Sequence, residues 1–437
     1  MSTISKITRK VADDLTADSG SETPSFLVGK RVAMVAFSLY PSDPRVRRAA
    51  EALLKEGMTL DLICEAEDDA PRKETSGRLE VLRIPVRHHR GGFLSYAYQY
   101  FMFILISSIA LAWRSIRRRY DLVYVHNMPD ILVLSALVPK WLGAKVILDQ
   151  HDPMPELMRT IFRSNDKSLP MRILFALEKW SIARADLVIT VNEACRRIFG
   201  SRSCAAAKIH VVMNAPDGNI FQERMAGSYP PRDPNAPFVV MYHGSLLERN
   251  GAGLAVDSMA LVCSRIPHAE LRLYGRSTPY LTEVMERVRV MGLDHVVRYV
   301  GPRRLEELVG DIQACDVGIV PNYLNEFTRI NTPTRLFEYL SQGKPVIAPL
   351  TQGVTDYFSP GSLFYFEAGN ANDLAERILE VYSDPAQAVR IAERGQEICR
   401  DHSWRIERKK LVGLTTSLVM HGRSVIAAFS SMPVNQV

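Results

Sequence analysis

Absent from the 437 residues is any CxxC pair or cysteine–histidine cluster; the six cysteines, Cys64, Cys195, Cys204, Cys263, Cys315 and Cys399, are scattered. No disulfide framework or structural zinc site is legible, and a reducing cytoplasm is the expected compartment. Residues 1–29 lack a continuous apolar core, so they read as a flexible tail and not as a secretory signal. No repeat of solenoid length occurs. Glycine and proline, 25 each, are too few for a collagenous chain, and 47% hydrophobic with 23% charged residues excludes a disordered one. After Phe37 the chain reads SLYPSDPR, without the GxGxxG of a dinucleotide-dependent oxidoreductase. Fifty-four Lys plus Arg against 48 Asp plus Glu leave a net charge of +6. That suits phosphate-bearing substrates or anionic lipid, and it falls short of a dedicated nucleic-acid binder.

What is present is a chain long enough for two or three domains. Short β-branched runs at 31–37, 59–64, 79–84, 121–126, 145–151, 186–190 and 209–213 alternate with amphipathic stretches such as 44–56, 130–142 and 171–184. Alternation of this kind predicts a parallel sheet with helices on both faces. It breaks at 216–236, where Pro, Gly and Asn crowd together as in a linker, and restarts with strands at 237–244, 269–275, 296–301, 316–321 and 344–349. The expected fold class is therefore α/β, with two Rossmann-like doubly wound domains, 30–215 and 237–405, facing a central cleft; 406–437 is a helical tail. Ligands of such sheets sit beyond the carboxyl ends of the strands.

One stretch stands apart. Phe93 to Trp113 contains a single Gln and no charge, and Arg114 and Arg117 to Arg119 follow it. Three readings fit: a core or partly exposed helix, a helix lying in a membrane surface, and a membrane span.

In the second half, the strand at 237–244 runs into Gly244, Ser245 and Arg249 before a helical stretch. A glycine there lets backbone amides approach a phosphate, and Arg249 adds a fixed cation; a plain structural turn fits as well. In NTPTRLFEYLSQGKPVI, Thr332 is expected to cap a helix that Gly343 ends, with Pro333 in its first turn. Arg335 and Glu338 share a face of that helix, either as a surface ion pair or as an arginine and a carboxylate beside a nucleotide ribose. In the first half, VHNMPD sets His126 at a strand end, and DQHDPMPE sets His151, Asp152 and Glu156 at the next. Arg45 and Arg47 follow the first strand, where they meet an acceptor phosphate or lie on a solvated helix face.

The segments PTRLFEYLSQGKPVIAP, YHGSLLERNG, LYGR and YVGP, with DPRVRRAAEALLKEG, YDLVYVHNMPD, VILDQHDPMPEL and VVMNAPDGNIF before them, resemble the retaining glycosyltransferases of family 4, and in the first half their exopolysaccharide- and capsule-building members. The resemblance runs from about Lys30 to about Arg405 and implies the two-domain GT-B fold. It further implies a UDP-, GDP- or dTDP-sugar donor, with Glu338 on the ribose, Gly275, Arg276, Gly301 and Pro302 around the base, and Gly244, Ser245, Arg249, Thr332 and Arg335 at the diphosphate. His126 is implied as the contact to the transferred sugar, with His151 and Asp152 nearby and Arg45, Arg47, Asp130 and Glu156 on the acceptor side. Retention of configuration is implied by the resemblance alone, as is the frequent return of the last helix to the first domain.

Two positions depart from the family pattern. A glutamate often stands eight residues before Glu338, where this chain has Ile330, and the usual cations of the phosphate loop fall on Ser245 and Asn250. Helix N-termini and arginine can stabilise a departing diphosphate unaided, so no metal or other cofactor is expected. Asp68 and Asp69, in the acidic run after Glu67, read as solvated. The expected function is transfer of a sugar to a lipid-linked saccharide in the cytoplasm, at the inner face of the plasma membrane, with no nucleic-acid partner. The alternatives are a non-catalytic sugar-nucleotide-binding subunit and a GT-B sugar-nucleotide epimerase.

Overall fold

The computed structural model describes residues 25–67, 70–86, 93–162, 167–230, 232–233 and 235–421. The tail before Ser25, Asp68 and Asp69, and the end of the chain beyond His421 lie outside the described residues. The chain divides into two compact units. One takes the chain up to Val191, with Cys195–Met213 and the stretch from Glu407 onward; the other takes Asn192–Ala194 and Asn214–Ile406.

The first unit is built on β1 (Arg31–Leu39), β2 (Thr59–Glu65), β3 (Lys73–Ser76), β4 (Leu79–Ile84), β5 (Leu122–His126), β6 (Lys145–Gln150), β7 (Leu187–Thr190) and β8 (Ile209–Val211). Their order in the sheet is β3-β4-β2-β1-β5-β6-β7-β8. All neighbours are parallel except β3 and β4. A parallel strand covered on both faces must be apolar throughout, and Val32, Ala33, Met34 and Val35 of β1 and Leu122 to Val125 of β5 are all buried. Asp43 starts the helix Pro44–Lys55 by accepting from the amides of Arg45 at 3.0 Å and Val46 at 3.3 Å, with Pro44 in the first turn.

The second unit carries β9 (Phe238–His243), β10 (Ala269–Tyr274), β11 (Val297–Gly301), β12 (Val317–Ile319), β13 (Val346–Pro349) and β14 (Phe364–Phe366) in the order β11-β10-β9-β12-β13-β14, all parallel. Val240, Leu271, Leu273, Ile319 and Ile347 lie at its centre, fully buried. Each such side chain contributes about 1.5–3 kcal/mol on leaving water.

In both sheets the strand order reverses direction at one place: beside β1 and β5 in the first unit, and beside β9 and β12 in the second. The crevice at such a switch point, past the carboxyl ends of the strands, is where doubly wound sheets bind ligands. His126 closes β5 and Gly244 follows β9 directly.

One expectation is corrected here. Residues 216–236 are not a free connector: the amide of Arg224 donates to Ser341 O at 2.8 Å, that of Ala226 to Gln396 Oε1 at 2.9 Å, and Tyr229 Oη to Gln342 O at 2.6 Å. Their turns account for the Pro and Gly content while their amides are tied into the second unit. The stretch after Arg405 is helical and returns to the first unit, as the resemblance implies. The helix Trp404–His421 packs on the first unit, where the fully buried Glu407 accepts from the amide of Met213 at 2.8 Å and Arg408 bonds Glu56 at 2.8 Å. The helix Phe93–Arg117 is partly exposed, with 28% of the apolar window within Ala97–Arg117 buried, and it is long and apolar enough to cross a membrane.

Candidate functional site

In the second unit, the loop after β9 is shaped by close backbone approach. Gly244 adopts φ +127°, and its amide donates to Tyr274 O at 3.0 Å. Gly275, after β10, adopts φ +153°, and a Cβ there would lie 2.1 Å from Gly244 O. Glycine is therefore required at 275 on contact grounds and at 244 on conformational ones. Gly275 in turn donates to Gly301 O at 3.1 Å, so the three strand-end glycines form one rung beyond the sheet. Gly244, Ser245, Arg276 and Pro302 are exposed along it.

The helix Thr334–Ser341 brings its first turn to this rung. A methyl placed on Gly244 would sit 3.1 Å from Arg335 Nη2. The Arg335 guanidinium lies over the Tyr242 ring, 4.7 Å from its centroid, and Arg335 Nη1 is buried with no hydrogen-bond partner among the described residues. One turn on, Glu338 Oε2 lies 3.4 Å from His243 Nε2. Burial, with Arg335 adding repulsion, pushes the His243 imidazole down to about 3, so it is neutral near pH 7. Arg249 lies over Phe327, 5.6 Å from its ring centroid. Thus Gly244, Ser245, Gly275, Gly301, Arg335 and Glu338 share one end of one sheet.

Thr332 departs from expectation. The residue capping the helix is Pro333, with no side-chain cap bond. The Thr332 hydroxyl is already engaged, donating to Gly353 O at 2.5 Å and accepting from Asn192 Nδ2 at 3.1 Å. Asn192 also donates to Ile330 O at 2.8 Å, and the Ile330 side chain is buried at 1% exposure. An apolar group therefore occupies the position of the family's first glutamate.

In the first unit, His126 and His151 meet at a strand end, with His126 Nδ1 2.9 Å from His151 Nε2. Beneath them Asp149, at the end of β6, takes bonds from Arg45 Nη2 at 2.6 Å and Tyr124 Oη at 2.9 Å. Burial alone would raise the Asp149 carboxyl, but Arg45 and the two imidazoles outweigh it and hold the group below the ordinary carboxylate range. Burial pushes the His126 imidazole down to about 3. Its Nε2 is buried with no partner among the described residues, one ring nitrogen held by His151 and the other open. Asn127 aligns the pair, accepting from the His151 amide at 2.7 Å and donating to Asp130 Oδ1 at 2.9 Å and to the carbonyl of Asp152, itself half-buried, at 3.0 Å.

His126, Asp149 and His151 each offer a ligand atom within 4.8 Å of the others, a spacing that could hold a metal ion. Arg45 competes for that place, since Arg45 Nε lies within 3.1 Å of both Asp149 oxygens. A divalent cation would have to displace a permanently charged guanidinium.

Three acceptor-side expectations are revised. Arg45, 8% exposed, is committed inside the unit to Asp149 and to Val212 O at 2.9 Å, because the helix starting at Pro44 turns it toward β6. Glu156 is buried and bound by Arg202 Nη1 at 2.7 Å. Asp130 is buried, and desolvation lifts its carboxyl to about 7 against the Asn127 hydrogen bond. Arg47 is half-buried, 3.7 Å from Glu51 one turn along its helix. His243, Asp149 and Asn127 were not singled out in the sequence; His243 and Asn127 adjoin Gly244 and His126, Asp149 lies two residues before His151, and only the strand-end position of each signals it.

Family comparison matches residues 42–215 to the glycosyl transferase 4-like domain and residues 237–384 to the glycosyl transferases group 1 domain. The chain belongs to the family 4 glycosyltransferases of GT-B fold. Among the curated relatives of this glycosyltransferase is the D-inositol 3-phosphate glycosyltransferase of Arthrobacter sp. (strain FB24), 23% identical over 61% of the chain and 63% of that protein. A Corynebacterium aurimucosum protein of the same name is 25% identical over 38% of the chain and 40% of its own length, so the chain matches about half the length of such relatives. Solved structures of like fold include sucrose-phosphate synthase from Thermosynechococcus elongatus, with TM-score 0.70, 20% identity and coverage of 89% of this chain and 99% of that one. Anabaena HepE in complex with UDP-glucose has TM-score 0.66, 16% identity and coverage of 89% and 100%.

Proposed function

We propose that this glycosyltransferase moves a sugar from a nucleoside-diphosphate donor to a lipid-linked saccharide in exopolysaccharide or capsule synthesis, at the cytoplasmic face of the plasma membrane, with retention and without a metal. The observation that carries the donor half is the clustering of Arg335 and Glu338 on the glycine rung after β9. A glycine that admits backbone amides, an arginine with an open Nη1 and a carboxylate one helical turn away match a diphosphate followed by a ribose. The UDP-glucose held by the Anabaena protein of like fold supports the same donor class.

The departing diphosphate accumulates charge as the sugar leaves. Arg335 and the N-terminal end of the Thr334–Ser341 helix supply fixed positive potential there. His126, held by His151 and neutral, presents Nε2 as a hydrogen-bonding group for a sugar hydroxyl. Arg45 and Asp149 keep the histidine pair in place.

A second reading, a sugar-nucleotide-binding subunit without turnover, is favoured by one observation: buried Ile330 stands where the family has a carboxylate. Thermal-shift titration with UDP-, GDP- and dTDP-sugars, followed by assay of donor turnover with the best of them, separates the readings. Stabilisation with turnover supports the transferase, stabilisation without it supports the subunit, and no stabilisation by any of the three removes both.

A further inference from the structure

A helix on the surface of a water-soluble domain turns polar residues outward and apolar ones inward. The Phe93–Arg117 helix turns large apolar residues outward as well as inward. Its inward face, at four-residue spacing, carries Gln99, Phe103, Ser107, Leu111 and Ser115, none more than 6% exposed. Phe103 packs on Phe37 with ring centroids 4.8 Å apart, which fixes this face to the first unit. The buried polar groups are satisfied locally: Gln99 donates to Ser95 Oγ at 2.8 Å, and Ser107 and Ser115 donate to the carbonyls of Ile104 at 3.1 Å and Leu111 at 2.6 Å. The outward face carries Tyr98, Phe101, Ile109, Trp113 and Ile116, each between 58% and 75% exposed. Each forgoes burial worth about 1.5–3 kcal/mol in water.

Beside this face runs a groove of about 790 Å³, lined by Phe101, Leu105, Ile131, Met158, Ile173 and Leu177. Its walls are the Phe93–Arg117, Met154–Phe162 and Leu169–Arg184 helices and the turn Asp130–Ala136. The volume is that of a small-ligand site. The exposed charges on its helical walls are of one sign, and the one acid that lines it, Asp130, is buried. Arg117, Arg172, Lys179 and Arg184 are exposed on these helices, whereas their two acids, Glu156 and Glu178, are buried and bound by Arg202.

We infer that the outward face of the Phe93–Arg117 helix docks the enzyme on an anionic phospholipid bilayer, with one acyl chain seated in the groove. A helix whose outer face is apolar needs an apolar medium along that side, and the basic residues around it choose an anionic headgroup layer. Because the inward face is packed on the domain, the helix lies in the interface and does not span. This inference deepens the reading of a membrane-borne acceptor and rests on it.

The test is co-sedimentation of the full chain with phosphatidylcholine vesicles and with mixed phosphatidylcholine–phosphatidylglycerol vesicles, alongside UDP-sugar binding in solution. The expected result is binding to the mixed vesicles that weakens with salt and falls at least about tenfold in the Phe101→Gln, Ile109→Gln, Trp113→Gln triple variant, whose positions are exposed and whose melting temperature is expected to hold. An Ile173→Trp variant, placing an indole in the groove wall, is expected to be quenched by vesicles with brominated acyl chains. Equal sedimentation of wild type and triple variant, absence of quenching at Trp introduced there, or a lipid-free dimer that the triple variant abolishes would each overturn it. Failure to sediment with UDP-sugar binding intact overturns the docking and leaves the transferase reading standing. Sedimentation as expected without any UDP-sugar binding supports the docking and removes the transferase reading instead.

Discussion

Arg45 and Asp149, 104 residues apart in the chain, meet as a buried pair, with Arg45 Nη2 2.6 Å from Asp149 Oδ1. The pair lies directly under His126 and His151, where Asp149 Oδ2 is 3.5 Å from His126 Nδ1. Removing one partner leaves a buried charge uncompensated, which costs about 3–5 kcal/mol. Arg45→Ala is therefore expected to lower the unfolding transition of the first unit by that order in urea. The Arg45→Ala, Asp149→Asn double variant is expected to recover part of the loss, since neither charge is then stranded. Strictly additive single effects would show that the two residues act independently.

Glu338 is the site's most direct prediction. A carboxylate accepting two ribose hydroxyls contributes about 1.5–3 kcal/mol, a factor of roughly 10 to 150 in affinity. Glu338→Ala is expected to weaken UDP-sugar binding by that factor in calorimetry, while binding of inorganic diphosphate changes little. Unchanged nucleotide affinity would remove the ribose assignment.

His126 predicts a different split. Its side chain is neutral across the working range because burial has moved its titration to about 3. His126→Ala is expected to lower kcat while donor KM stays near wild type, and the wild-type kcat profile is expected to show no limb belonging to His126 between pH 5 and pH 8. A limb in that window that disappears with His126→Ala would mean the imidazole is charged and the hydrogen-bonding role is wrong.

Chelation addresses the charge of the leaving group. With Arg45 bound to both oxygens of Asp149, the histidine pair already neighbours a fixed cation. Turnover after EDTA treatment is expected to equal that before it. Loss of turnover restored by Mg²⁺ or Mn²⁺ would place a cation in the reaction.

The parallel strands were legible because strands covered on both faces become continuous apolar runs, as in RVAMVAF and DLVYVH. β3 was not legible, since its KETS sequence alternates exposed and half-exposed residues at a sheet edge. The three residues of β14 are too few to carry a period. Within the site, His126 and Gly244 were readable from their position after strands. The commitment of Arg45 was not, because its partner comes from a strand 104 residues away. Thr332 was misread as a cap because sequence cannot show that Gly353 and Asn192 had already engaged its hydroxyl.

Asp130 supplies a pH-dependence of known sign. In the unfolded chain its carboxyl titrates near 3.8, and burial in the native fold lifts it to about 7. Between those values the native state holds a proton that the unfolded state has released, so this group makes stability fall as pH rises from about 4 to 7, by on the order of a few kcal/mol in total. Above that range the charged carboxylate sits buried beside Asn127 Nδ2, its partner at 2.9 Å. Asp130→Asn keeps the shape and removes the titration, so the variant is expected to lose less stability than wild type between pH 5 and pH 8. Melting temperatures of both proteins across that interval check this; parallel curves would show that Asp130 titrates at its ordinary value in the folded enzyme.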